Sequence, residues 1–148
     1  MDILKQLQAR AEQVEVVHIR TEATTIEFEA SRFKTSKVEE TSGVAARVVR
    51  NGRLGFSASS DEKALDRLVT NVLESAALGD QVPITFTSPQ AASPVNTFDP
   101  AIPELPVARL VQIGQEIVDL ILSVEPAAQV NASLKRAVQH IKIQNQAG

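Results

Sequence analysis

Gly55-Phe56-Ser57-Ala58-Ser59 comes nearest, in this chain, to the setting of a nucleophile. It joins a strand-like run to a helix-like one, where a serine on a tight turn could attack a carbonyl. The second glycine of such an elbow is absent, and no histidine follows before His140. Capping of the next helix, with Phe56 packed, explains these residues better than hydrolysis by Ser57. His18 alternates with Val17 and Ile19 and has no partner at metal-ligand spacing, so it reads as a solvent-facing or satisfied side chain. Glu27 and Glu29 share a strand face with like charge, which belongs in solvent. A glycosidase pair would also need a sugar cleft that five Phe and no Trp or Tyr hardly furnish. Arg47, Arg50 and Arg53 look like a basic patch, but period two turns Arg47 away from Arg50. Asn131-Ala132-Ser133 matches a glycosylation acceptor by chance, and no Gly-rich phosphate loop is present. No catalytic residue and no metal ligand is assigned.

Composition narrows the classes further. The chain has 148 residues, 43% hydrophobic and 22% charged, as one globular domain with its own core would have. It has no cysteine, which removes disulfides and thiolate metal sites and fits a reducing, cytoplasmic location. The net charge of -3, with signs interspersed, argues against a nucleic-acid footprint. No apolar run is long enough for a membrane span, and the first residues lack the layout of a secretory signal.

The elements that must position these residues follow from periodicity. Ile3, Leu4, Leu7, Ala11 and Val14 predict a helix over 2–14, capped by Asp2. From Glu15 to Ala30 alternation predicts two strands turning near Glu22 and Ala23. Phe33 to Gly43 stays extended but polar, as an edge strand or exposed ribbon. Val44, Ala46 and Val48, the Asn51-Gly52 pair, and then Leu54, Phe56 and Ala58 on one side predict a hairpin with a type I′ turn. Ser59 and Glu62 form a capping box before a helix of Leu65, Leu68, Val69, Val72, Leu73, Ala76 and Ala77 that ends at Gly79. A short strand at 84–87 precedes a connection holding Pro89, Pro94, Pro100, Pro103 and Pro106. A helix over 107–124 carries an apolar band wide enough for burial on more than one side. The remainder reads as two strands with a turn near Leu134 to Arg136. The fold class expected is α+β, a mixed, mostly antiparallel sheet with two to three covering helices.

Gly43, Arg47, Asn51, Gly52, Gly55, Phe56, Ser57 and Asp61 lie in "SGVAARVVRNGRLGFSASSD", which is followed by a helix, a Pro-rich segment with "FDP", a long helix and "IQNQAG". This series resembles the N-terminal domain of the TldD/PmbA family of metallopeptidases, also called modulators of DNA gyrase. Gly43, Asn51, Gly52, Gly55 and Asp61 carry the structural part of the likeness. The resemblance implies a two-domain parent, with residues 1–148 as its N-terminal domain, and a dimer, homomeric or with another family member, enclosing a cleft for unfolded or small peptides. It also implies that zinc, where a member has it, is held by a His-Glu-x-x-x-His motif in the C-terminal domain. That motif is absent here, so no cofactor is expected in this chain.

The function expected is that of a noncatalytic wall of a peptide-accommodating cleft. Phe33, Thr35, Lys37, Arg47, Phe56 and Ser57 are the candidate peptide contacts, with Phe33 to Glu40 as the receiving edge. The alternative is a stand-alone assembly module without a peptide substrate. A third reading is a small enzyme using Ser57. Neither nucleic acid nor membrane is expected as a partner, and the polypeptide is expected to continue beyond Gly148.

Overall fold

Asp2 starts the first element, its Oδ1 accepting the Lys5 N–H at 3.3 Å. Helix α1 (Ile3–Gln8) buries Ile3 and Leu7 and ends there, short of Val14, because Val14 and Val16 are buried by the alternation of β1 (Gln13–Glu29). The structure, a computed structural model, describes residues 2–61, 63–87 and 94–146. Glu62, Pro89 and Gly148 lie outside the described residues.

Strand β1 does not turn at Glu22 and Ala23. Its alternation only lapses there, where Ala23 and Thr24 are buried in succession. The chain reverses at Ala30 and Ser31, whose φ values of 48° and 65° are left-handed. Such a conformation costs an L residue roughly 1–2 kcal/mol, and four tertiary hydrogen bonds hold it. Ser31 N–H donates to Val130 O at 2.8 Å and Ser31 Oγ to Ala128 O at 3.4 Å. Val130 N–H donates to Ser31 Oγ at 3.0 Å, and Ala30 N–H donates to Asn131 Oδ1 at 3.0 Å.

Strand β2 (Arg32–Arg50) is continuous through the expected polar ribbon and the first hairpin arm. Asn51 and Gly52, at φ 51° and 70°, turn it into β3 (Arg53–Ser59), with Arg50 opposite Arg53 and Val44 opposite Ser59. Helices α2 (Leu65–Leu78), α3 (Ala101–Glu104) and α4 (Val107–Val124) follow, then β4 (Ala132–Asn145). The strand order is β3-β2-β1-β4 in an open antiparallel sheet, so the class is α+β.

The chain divides into two compact units. The first comprises Met1–Arg20, Thr41–Pro94 and His140–Gly148. Its core gathers Leu7, Val14, Val16, Val48, Leu68 and Val72 from α1, the sheet and α2. Helix α2 rests on β3 so closely that a Cβ on Gly55 would lie 2.3 Å from Val72 O. Val48 pairs with Gly55 and Ala46 with Ser57, so the small residues of β3 share a face with the buried valines. Leu54, Phe56 and Ala58 take the opposite face, and Phe56 is 60% exposed rather than packed. Ser59 is not the N-cap residue: α2 begins at Leu65, after Ala64, with no side-chain cap, and the other half of the expected capping box lies outside the described residues. Ser59 Oγ instead accepts the Asp61 N–H at 3.0 Å, and Asp61 Oδ1 accepts the Lys63 N–H at 2.8 Å.

Residues 84–87 belong to no strand. They are strapped down by side chains: Gln13 Nε2 donates to Ile84 O at 2.8 Å, Phe86 N–H to Gln13 Oε1 at 2.5 Å, and Asn145 Nδ2 to Thr87 O at 2.7 Å. Phe86 is buried as a result.

The second unit comprises Thr21–Glu40 and Val95–Gln139. Its core is Ile26, Phe28, Leu110, Val118 and Val130. Helix α4 has the bounds its periodicity predicts, and Gly114 makes room for Phe28, whose Cε2 would stand 2.1 Å from an added Cβ. Only one of its apolar sides is buried, while Ile117, Leu120, Ile121 and Val124 remain exposed. The turn expected near Leu134 to Arg136 is absent because β4 runs straight through it. Arg136 Nη1 donates to Pro103 O at 3.2 Å and to Leu105 O, and Nη2 donates to Thr24 Oγ1 at 3.0 Å. Its guanidinium thereby fixes the approach to α4.

Candidate functional site

The predicted contact residues fall into two groups. Phe33, Thr35 and Lys37 alternate along β2 in the second unit. β3 faces β2 only from Val44 to Arg50, so residues 32–43 have β1 on one side and, among the described residues, no strand on the other. That stretch is an edge, as its polar alternation implied. Phe33 is 47% exposed and meets Phe28 edge-on, with ring centroids 6.0 Å apart. Thr35 is half-buried. Lys37 Nζ pairs with Glu39 Oε1 at 2.7 Å, and Lys34 Nζ with Glu29 Oε2 at 2.7 Å. These hydrogen bonds and charges hold both lysines above their ordinary pKa and Glu39 below its own. A hollow of about 300 Å³ beside the hairpin end is lined by Phe28, Lys34, Glu27 and Glu29 among others.

Arg47, Phe56 and Ser57 belong to the first unit. Arg47 and Phe56 are cross-strand partners, while Ser57 pairs with Ala46 on the other face. Arg47 Nε donates to Glu15 Oε1 at 2.7 Å, and its guanidinium lies 4.8 Å from the Phe86 ring centre. Neither partner was visible from spacing, since they stand 32 and 39 positions away. Arg53 turns to a different task, Nη1 donating to Gly79 O at 2.7 Å. The three arginines therefore do not act as one patch.

Of the structural motif, Asn51 and Gly52 make the turn, Gly55 admits α2, and Asp61 shapes the turn before it. Gly43 is less demanding: a Cβ there would meet Ser59 O at 3.4 Å. Ser57 lies within β3, several residues before α2 begins, not on a strand-to-helix elbow. Among the described residues no group of three or more His, Asp or Glu side chains is placed to hold a metal ion. Among the described residues no helix is long and apolar enough to cross a membrane.

Residues 14–76 match the family description PmbA/TldA metallopeptidase domain 1. No curated protein matches the sequence. Solved structures share the fold, among them the following. TldE from Thermococcus kodakarensis superposes with a TM-score of 0.87 at 14% identity, over 99% of this chain and 34% of that one. A candidate modulator of DNA gyrase from Bacteroides thetaiotaomicron gives 0.83 at 13%, over 99% and 35%. A candidate modulator of a DNA gyrase from Thermotoga maritima gives 0.77 at 13%, over 92% and 32%. The chain therefore spans about a third of the length of these solved relatives. Residues 14–76 are thus similar to the first domain of the PmbA/TldA metallopeptidases, and at 13–14% identity the solved structures show that this chain shares their fold.

Proposed function

We propose that this chain is a noncatalytic N-terminal portion of a TldD/PmbA-type protein of the cytoplasm, and that it walls a cleft that receives unfolded or small peptides. The observation that carries the reading is the open outer side of β2 before Val44. An extended peptide can add there as a strand, binding through main-chain hydrogen bonds with little sequence preference. Phe33 supplies an apolar contact, and the Lys34 and Lys37 ion pairs can open to meet charged side chains. Hydrolysis, with any zinc it needs, falls to further chain of the parent protein.

An unstructured peptide titrated into the isotope-labelled protein should shift the amide signals of residues 33–41. If those signals stay unmoved, both in this chain and in its full-length parent, the edge reading fails. A second reading, an assembly module that joins two family members, is favoured by the exposed apolar side of α4.

A further inference from the structure

The first unit also holds a groove of about 460 Å³, apart from every candidate contact named above. Its floor is apolar, with Ile3 and Val16 buried and Leu4 and Leu65 half-buried. Its rim is polar: His18 on β1, Lys142 and Gln144 on β4, and Asp2 before α1. Asp2 is already engaged, Oδ1 accepting the Lys5 N–H at 3.3 Å and Oδ2 lying 3.7 Å from Lys5 Nζ. The side chains of His18, Lys142 and Gln144 have no hydrogen-bond or ion-pair partner among the described residues. Among the described residues the rim therefore presents an open cation, an imidazole and an amide donor, and the Asp2 carboxylate is already engaged. That balance favours an anionic ligand.

We propose that this groove captures the C-terminal residue of a peptide. The aliphatic side chain lies on the floor, and the terminal carboxylate accepts from Lys142 Nζ and from His18 or Gln144. A volume at the low end of the roughly 300–1,000 Å³ usual for ligand sites suits one or two residues. β4 is the end strand of the sheet, so its main chain has alternate donors and acceptors to offer the preceding peptide residues. Charge complementarity and an available strand edge together select a peptide C-terminus over a neutral apolar ligand. The inference does not rest on the β2 edge, which lies on other residues.

The test uses the whole 148-residue chain. The labelled protein is titrated with a short peptide ending in Ala-Val-Leu, with the same peptide amidated at its C-terminus, and with octanoate. The free-acid peptide should shift the signals of Leu4, Val16, His18, Leu65 and Lys142. Amidation should weaken binding about tenfold, the worth of one charge-assisted hydrogen bond. Lys142→Met should cost the acid peptide about the same factor and leave the amide unchanged. His18→Gln, a milder change, serves should the first variant fold poorly, and should weaken the acid selectively. Equal binding of acid and amide, octanoate binding as tightly as the peptide, or no shift at millimolar peptide would each overturn the proposal.

Discussion

Gly55 shows how much a single missing Cβ decides. Any larger residue there would push against Val72 O and Ala76 N, both backbone atoms of α2 that cannot swing aside. Gly55→Val should cost about 2–3 kcal/mol, read as a lower urea midpoint, and should raise the protease sensitivity of α2. The Lys37–Glu39 pair lies at the other extreme, on the surface, and its worth is a matter of titration rather than stability. Lys37 holds the Glu39 carboxyl below its ordinary range, so the attraction is present above the unfolded pKa and is lost as pH falls through the lowered folded value. On the Lys37 side, whose folded pKa is raised, the same contact fades as pH rises through that value. In a carbon-detected titration Lys37→Met should move the Glu39 midpoint upward, towards the usual carboxylate value. An unmoved midpoint would mean that the pair does not persist in solution.

Among the elements, the Ala30-Ser31 turn is the one that sequence patterns could not find. Neither residue favours positive φ, and the partners that stabilise the turn, Val130 and Asn131, lie about a hundred positions away. Ala30→Gly should stabilise the protein by about 0.5–1 kcal/mol, the relief of roughly 1–2 less the added chain entropy. Asn131→Ala should lose about 1 kcal/mol with its hydrogen bond. Thermal unfolding checks both, and destabilisation by Ala30→Gly would contradict the left-handed turn. The Asn51-Gly52 turn was legible because both residues favour the conformation they adopt. Helix α4 was legible because eighteen residues of apolar period outweigh local context. β1 and β4 were each read as two strands, since a break in alternation or a pair of adjacent basic residues looks the same from sequence whether the chain turns or continues. Capping failed at α2 for a related reason: Ser59 bonds locally to Asp61 and the helix starts later.

For the molecule as a whole, the exposed residues of α4 bear on assembly. Ile117, Leu120, Ile121 and Val124 leave one side of a long helix without cover in a chain that spans a third of its solved relatives. Leu120→Glu should leave the melting temperature within a degree or two, because the side chain is 68% exposed. In the longer protein proposed above, the same change should shift sedimentation towards monomer if α4 serves assembly, and an unchanged profile would remove that reading. By itself the sequence determined the fold class, the β2–β3 hairpin, the bounds of α4 and the open character of Phe33 to Glu40, all of which follow from local periodicity and turn chemistry. Tertiary structure alone decided which face of β3 is covered, where β1 reverses, and which groups surround Arg47 and the Lys142 groove. Those outcomes depend on contacts between segments far apart in the chain, and no local pattern records which of them meet.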